Sequence, residues 1–456
     1  MKLLRRWYWL SSGFLKKYRL GIFISLLIGV SAFLASLRLV PIMSFKPTYH
    51  LGRVARLQVN QLPLDIQYLL STGLTKIEAN GQVSLSAAQS MDVSPDGKTY
   101  TFTLKPGLTW SDGTLVNTAD LELKPSDVTV ETPTASTIIF TLKEPFAPFP
   151  SVVSQPLLKK VTTGRLWPRS RLIGLYQPVI TDIQTKQSFV DQVRLEFTDK
   201  TYVYHFYPTE ADSLTAFKLG QVDAITSLTR PYLTDWSSVV IDQTPQPNRY
   251  VALFFNTARP ELQDKTVRQM LNYATPKDFT TERVISPIAR SSWVYNPQVK
   301  PYPYQPQTAK DLLSKLQTSQ PGYQPQFTLT TTPAYAQTAQ AIAAAWADIG
   351  LVVDLKIVPF PDPTDYQIML IGQQIPDDPD QYALWHSTQG TNISRYQNPK
   401  IDKLLEDGRK ELNPQKRQEI YQEFQRFLVE DSPAVFLYTL PNFNLSRSAP
   451  SHRLPS

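Results

Sequence analysis

Side chains capable of acid–base chemistry are few in this chain and lie far apart in the sequence. Two groups of neighbouring carboxylates occur, Asp377-Asp378 with Asp380, and Glu430-Asp431. Such a pair can supply a general acid and a general base when its surroundings separate the two pKa values. Adjacent acids in a loop or at a helix end are more commonly solvated. The four histidines share no helical face: His50, His205, His386 and His452. We therefore predict that the protein is not an enzyme.

Short motifs that are typical of nucleotide-binding and hydrolase sites are also missing from the sequence. The sequence contains no GxxxxGK[ST], GxGxxG, GxSxG or HExxH, which mark nucleotide sites, acyl transfer and zinc hydrolysis. It also has no cysteine, which excludes disulfides, thiolate metal sites and Cys nucleophiles. We expect no cofactor and no resident metal.

The charge of the chain argues against nucleic-acid binding. The 456 residues are 42% hydrophobic and 19% charged, a globular composition, and carry a formal net charge of +7. Residues 1–19 hold six Lys and Arg and no acid, so the other 437 residues account for only +1. A surface that neutralises phosphates needs its excess of positive charge in the folded part of the protein.

An uncharged stretch of eighteen residues, 20–37, follows the basic segment. As a helix it would span about 27 Å, close to the thickness of the hydrocarbon core of a bilayer. The basic flank favours a cytoplasmic N-terminus. We predict a single-pass anchor in the cell membrane, with the folded domain outside the cytoplasm. A signal peptide cleaved near Val30-Ser31-Ala32 and a buried core helix are the alternatives.

The elements beyond the anchor change character along the chain. The first half is rich in strand patterns, with 99–105, 137–142, 192–197 and 201–206 as the clearest. The second half contains five amphipathic helical patterns: 264–277, 306–316, 335–350, 398–412 and 413–432. Gly350 is placed to end its helix, and a strand is predicted at 351–358. This alternation predicts an α/β class.

An ordered series of short motifs runs through the exported part. They are Leu70–Leu74 with Asn80-Gly81, Asp96–Phe102, Leu108–Thr114, Thr118–Asp120, Leu219–Ile225, Phe254–Thr257, Val267-Arg268, Leu271–Ala274, Tyr304–Leu313, Ala341–Gly350, Asp378–Asp380, Asn398–Leu405, Arg417, Tyr421 and Asp431–Pro433. In this order they resemble the extracellular solute-binding proteins of family 5, the oligopeptide-, dipeptide- and nickel-binding receptors of ABC importers. The resemblance covers about residues 68–440.

The resemblance implies a two-lobed periplasmic-binding-protein type II fold, the Venus-flytrap fold, which closes over a ligand. The expected divisions are 1–19 as a cytoplasmic segment, 20–37 as the anchor, 38–50 as a linker, 51–250 with 434–456 as lobe 1, and 251–433 as lobe 2. Two departures from the family pattern stand out. The segment between Asp120 and Leu142 is short, which predicts that the family's extra lobe is nearly lost. In addition, Ile375 stands where peptide-binding members carry an Asp that pairs with the ligand's amino group.

The resemblance also suggests the binding residues and partners. Asp377 or Asp378 could replace the missing Asp, and the run from Tyr382 through Trp385 to His386 could form an aromatic and polar wall. Asn256 lies at the crossover beside the cleft, where it could instead bind backbone. We expect a monomer that captures peptides or a similar solute for an ABC permease. The alternatives are an exported interaction module that kept the fold without transport, and an exported hydrolase built around His386.

Overall fold

The computed structural model describes residues 17–21, 23–31, 33–34, 46–58, 61–123, 125–163, 169–279 and 282–447. The chain divides into two units, residues 1–48 with 199–201, and all the rest. In the first unit, residues 17–21, 23–31 and 33–34 are helical. Among the residues described, none of the helices has the length and apolar character needed to cross a bilayer. Residues 1–16, 22, 32 and 35–37 of the predicted basic segment and anchor, and 38–45 of the linker, lie outside the described residues.

The second unit contains two large sheets and two small ones. The strands are β1 Thr48–Val54, β2 Thr75–Ile77, β3 Val83–Leu85, β4 Ala88–Val93, β5 Thr99–Leu104, β6 Val128–Thr134, β7 Thr137–Leu142, β8 Lys159–Thr163, β9 Arg169–Ile173, β10 Val179–Lys186, β11 Phe189–Glu196, β12 Thr201–Tyr207, β13 Ala224–Leu228, β14 Val239–Thr244, β15 Arg249–Phe255, β16 Gln326–Thr331, β17 Val352–Ile357, β18 Ile368–Gln374, β19 Ala434–Thr439 and β20 Asn442–Arg447. Nine of them form one sheet, in the order β14-β20-β13-β1-β12-β11-β10-β9-β8. This sheet is the framework of lobe 1.

The helices of the second unit concentrate in its second half. They are α1 Leu64–Leu70, α2 Phe149–Val152, α3 Glu210–Lys218, α4 Pro260–Gln263, α5 Lys265–Ala274, α6 Pro306–Ser319, α7 Ala336–Asp348, α8 Tyr382–Trp385, α9 Pro399–Lys410 and α10 Pro414–Asp431. Lobe 2 is built on a five-stranded sheet, β17-β16-β18-β15-β19, with a buried cluster on each face. β15 is almost entirely apolar because side chains on both of its faces enter these clusters.

The five predicted helices are confirmed, each within a few residues. Their starts follow local capping: the side chains of Asp264, Asn398 and Asn413 accept hydrogen bonds from the first turns of α5, α9 and α10. Gly350, at a φ of +96°, follows the end of α7. The strand after it, β17, pairs in parallel with β16, so β16, α7 and β17 form a βαβ unit.

The region in which a nearly lost extra lobe was expected forms a small sheet with a core of its own, and its reduction relative to the family stays a prediction. Residues between Asp120 and Leu142 form the hairpin β6–β7, which completes a four-stranded antiparallel sheet in the order β4-β5-β7-β6. The alternating pattern of β5 buries Tyr100, Phe102 and Leu104 on one face, in a separate core with Trp110. A short hairpin is enough to complete this sheet because it adds two strands to the existing pair of β4 and β5.

The boundary between the lobes differs from the expected one at the C-terminal end. Residues 434–439 were assigned to lobe 1, but they form β19, which pairs with β15 in the sheet of lobe 2. Only β20 returns to lobe 1, between β13 and β14. The physical reason is burial: Ala434–Leu437 are all buried, and they enter the two clusters of lobe 2. Residues 448–456 lie outside the described residues.

Candidate ligand-binding pocket

Asp378 and Asp380 have cationic partners within lobe 2. The Nη1 and Nη2 atoms of Arg417 donate to the two carboxylate oxygens of Asp378, at 3.0 and 2.5 Å. Arg409 Nε donates to Asp380 at 2.9 Å. Burial raises the pKa of Asp380, and the neighbouring charge of Arg409 opposes that rise. Asp378 is thus bound inside a buried ion pair, between the loop after β18 and α10.

The aromatic run contributes mainly to the interior of lobe 2. Trp385 is buried in the cluster that also holds Phe254 and Phe436. The ring of Tyr382 stacks on His386 with centroids 4.1 Å apart, and the Arg409 guanidinium also lies over the Tyr382 ring, 4.2 Å from its centroid. His386 is buried, with Nδ1 2.8 Å from Thr388 Oγ1 and Nε2 3.4 Å from Glu406 Oε1.

Ser387, the serine next to His386, does not form a Ser/His pair with it. The hydroxyl of Ser387 donates to Asp402 at 2.6 Å instead of to the imidazole. Nucleophilic catalysis by serine needs a base within hydrogen-bond reach of the hydroxyl. In the described part of the chain there is also no group of three or more His, Asp or Glu side chains that could hold a metal ion.

The side chain of Asn256 forms hydrogen bonds with backbone atoms in this conformation. It is buried, and its Nδ2 donates to the carbonyl of Tyr366 at 2.9 Å. Its Oδ1 accepts from the backbone N–H of Ala258 at 3.2 Å. These bonds fix the chain as it leaves β15, so both ends of the side-chain amide are occupied.

A cavity of about 570 Å³ lies between lobe 1 and lobe 2. Lobe 1 supplies the end of α1, the loop after β2 and Tyr176, and lobe 2 supplies the residues just before β15, the segment 289–292 and Asp377. Of the six predicted site residues, Asp377 alone is among those lining it. We call this space the interlobe cavity. A larger cavity, of about 1150 Å³, is confined to lobe 1, where closure of the lobes would not enclose a ligand.

Asp377 presents a carboxylate to the interlobe cavity. Asn248 Nδ2 donates to one of its oxygens, and within the described residues Asp377 forms no ion pair. The side chain remains exposed toward the cavity, yet the surrounding protein raises its pKa by desolvation, more than the Asn248 hydrogen bond lowers it. Lys76 also lines the cavity, but it is paired with Glu78 at 3.0 Å. Asp377 is therefore a partly desolvated anion without an ion pair of its own, which favours binding of a positively charged group.

Close backbone packing positions the walls of the cavity. Asn80 accepts a hydrogen bond at its carbonyl from Trp293 N–H, at 2.9 Å across the lobes. Gly81 has a φ of +80°, and a Cβ there would lie 2.8 Å from the carbonyl oxygen of Asp377. Gly73 packs still closer, because a Cβ would lie 2.4 Å from the backbone of Ser154. The glycines in the motifs 70–74 and 80–81 thus allow main chain to meet main chain.

Several residues that line the cavity were missed in the sequence. Tyr68, Tyr176 and Asn248 come from three separate segments, and only the fold brings them together. Asn248 shows one sequence signal, since it is the last side-chain amide before β15, which is apolar after Arg249. Nothing comparable marks Tyr68 or Tyr176.

The sequence profile of the family described as "Bacterial extracellular solute-binding proteins, family 5 Middle" matches residues 82–123 and 119–395, more than half of the chain. This chain belongs to that family. The predicted family membership is therefore confirmed, and the protein is a solute-binding protein.

Curated relatives are remote but cover most of the chain. The probable D,D-dipeptide-binding periplasmic protein DdpA of Escherichia coli is 22% identical over 413 residues, 77% of this chain and 78% of that protein. The periplasmic murein peptide-binding protein MppA of the same organism is 22% identical over 450 residues, 82% of this chain and 83% of that protein. Both are named as binding proteins, in line with a non-enzymatic role.

Solved structures of the family share the fold. NikZ from Campylobacter jejuni, in complex with Ni(L-His), superposes with a TM-score of 0.69 at 22% identity, over 88% of this chain and 94% of that one. The oligopeptide-binding protein AppA from Bacillus subtilis, in complex with a nonapeptide, gives 0.62 at 19% identity, over 90% and 96%. At this level of identity the likeness establishes the two-lobed binding-protein architecture.

Proposed function

We propose that this protein captures a short peptide, or a similar solute with a free amino group, in the interlobe cavity and delivers it to the permease of an ABC importer. The observation that carries the proposal is the carboxylate of Asp377, which faces the cavity without a cation of its own. The names of DdpA and MppA, both peptide-binding proteins, support the ligand class.

Asp377 would bind the ligand's ammonium group. It would replace the Asp that peptide-binding members of the family carry where this chain has Ile375. Asp378 is less suited, since Arg417 already neutralises it. An ammonium group would form charge-assisted hydrogen bonds with Asp377 and would offset the desolvation that raises its pKa. Binding between the lobes would favour the closed state, because only that state lets both lobes contact the ligand. Asn256, Asp378, Tyr382, Trp385 and His386 would support lobe 2 instead of contacting ligand in this conformation.

Residues 20–37 would hold the receptor at the outer face of the cell membrane, as a monomer beside its permease. The support is the uncharged stretch of eighteen residues after a basic flank. Membrane fractionation combined with the intact mass of the native protein tests this. Retention in the membrane with residues 1–19 present agrees with an anchor, whereas a shortened, released protein indicates a cleaved signal peptide.

The binding experiment compares trialanine with N-acetyl-trialanine by isothermal titration calorimetry. We expect the wild-type protein to prefer the free amine, and Asp377→Asn to lose about 10- to 100-fold in affinity for trialanine only, the range of one charge-assisted hydrogen bond. Asp348→Asn, an exposed change at the end of α7, is the matched control.

Two results would contradict the proposal. Equal affinity for both peptides would show that no amine is recognised. A protein that purifies without a bound peptide mass and binds neither peptide would favour the interaction module that kept the fold without transport.

A further inference from the structure

A second cavity, of about 300 Å³, lies beside the crossover into β15, on the lobe 2 side. Its walls are mainly apolar and come from the segment 282–295 and from β15. The apolar and aromatic residues lining it are Pro247, Tyr250, Val284, Ile285, Ile288 and Tyr295. Cavities for whole small ligands range from about 300 to 1,000 Å³, so this one suits a single large side chain better than a whole peptide.

Tyr250 is a buried tyrosine that lines this cavity. Tyr250 is only 1% exposed, and its hydroxyl has no hydrogen-bond partner among the described residues. The ring is held edge-on against Phe436, with centroids 5.4 Å apart, and the backbone pairs with Gln373 and Thr439. The hydroxyl is therefore rigidly placed in the wall of the cavity, and its capacity to donate or accept a hydrogen bond is unused.

The charged groups at the edge of this cavity already have partners. Arg283 Nη2 donates to the carbonyl of Pro301 at 2.6 Å. Arg290 lies 3.7 Å from the carboxylate of Glu282. An ionised side chain entering between the aliphatic walls would lose its hydration without gaining a free counter-charge. The lining thus favours an uncharged occupant that is mostly apolar and carries one hydrogen-bonding atom.

The two cavities adjoin each other. Pro247, Ala289 and Ser291 line both of them. A ligand whose amino group lies at Asp377 would occupy the interlobe cavity, which meets the second cavity at these three residues. We infer that the second cavity is a subsite for one side chain of the peptide bound at Asp377. That side chain is large, aromatic and uncharged, such as that of tyrosine, and its polar end forms a hydrogen bond with the Tyr250 hydroxyl. This inference rests on the proposed peptide-binding function.

The test uses calorimetry on the full-length protein with four peptides: Ala-Ala-Ala, Ala-Phe-Ala, Ala-Tyr-Ala and Ala-Asp-Ala. We expect Ala-Phe-Ala to bind about tenfold tighter than Ala-Ala-Ala because an aromatic ring is buried, Ala-Tyr-Ala tighter again, and Ala-Asp-Ala no tighter than Ala-Ala-Ala. Tyr250→Phe should remove the advantage of Ala-Tyr-Ala over Ala-Phe-Ala. Tyr366→Phe, in an equally buried tyrosine that lines neither of the two cavities, is the control.

A second variant tests whether the open volume of the second cavity is needed, independently of the Tyr250 hydroxyl. Ile285→Trp should fill the cavity, abolish the preference for both aromatic peptides and leave the affinity for Ala-Ala-Ala within about twofold. Equal binding of all four peptides by the wild type, or an aromatic preference unchanged in both Tyr250→Phe and Ile285→Trp, would overturn the subsite and leave the role of Asp377 standing. If no peptide binds, Ala-Ala-Ala included, the proposed function fails and the subsite fails with it.

Discussion

The buried ion pair between Asp378 and Arg417 should be one of the main stabilising contacts of lobe 2. Arg417 makes three hydrogen bonds: two to the Asp378 carboxylate at 3.0 and 2.5 Å, and one from Nε to the carbonyl of Gly408 at 2.9 Å. Both charged side chains are only 8% exposed. The pair connects the loop after β18 to α9 and α10, so its loss should loosen three elements together.

Arg417→Met keeps an unbranched, mostly apolar side chain and removes the charge. Asp378 would then retain a hydrogen bond from the backbone N–H of Asp380, at 2.9 Å, and would be buried without a cation. Breaking a buried pair by removing one partner costs about 3–5 kcal/mol. We expect the free energy of unfolding of lobe 2 to fall by about this amount, measured by urea denaturation followed by tryptophan fluorescence.

Two further variants make the result interpretable. Lys143→Met removes an ion pair with Asp127 in which both side chains are 74% exposed, and should leave the free energy of unfolding almost unchanged. The double variant Asp378→Leu with Arg417→Met leaves no buried charge at this place and should be more stable than Arg417→Met alone. A loss below about 1 kcal/mol for Arg417→Met, or a double variant no more stable than the single one, would refute the reasoning about the pair.

Three further outcomes follow from local geometry. Burial and the neighbouring His50 lower the pKa of His205, so the neutral imidazole is favoured in the folded state. The stability of the protein should therefore fall as the pH drops below about 6.5. His205→Gln should reduce that fall in denaturation curves between about pH 7.5 and 5.5. Burial lowers the pKa of Lys277, so the stability of the wild type relative to Lys277→Met should rise with pH toward about 10.4. Denaturation curves between about pH 7 and 10 test this, and a flat difference would contradict it. Gly73→Ala forces a Cβ to within 2.4 Å of the Ser154 backbone and should cost about 1–3 kcal/mol or more; an unchanged melting temperature would show that the loop yields freely.

The sequence predicted best the features that depend on neighbours along the chain. The helices α5, α9 and α10 were found because capping side chains and apolar periodicity lie within a few residues of one another. The strand β5 was found because its alternation reflects one buried face. The family resemblance supplied the order of these elements in two lobes.

The candidate site was predicted only in part, because its walls come from distant segments. Asp377 was among the predicted residues, but its partner Asn248 is 129 residues away. Whether Trp385 faces the core or the cleft depends on how α8 packs against β15 and β19, which no local pattern contains. The second cavity depends on segment 282–295, which has few regular hydrogen bonds and therefore no periodic signal.

The position of β20 affects how the polypeptide can fold as it is made. β14 lies at the edge of the nine-stranded sheet and joins it through β20, so that Asn444 bonds Thr244 across 200 residues of chain. During synthesis or passage through a membrane pore from the N-terminus, β13 would expose an open strand edge until β20 emerged. Lobe 1 is thus completed last although it begins first, and a chain shortened by about fifteen residues would keep an unpaired edge of the kind that promotes aggregation.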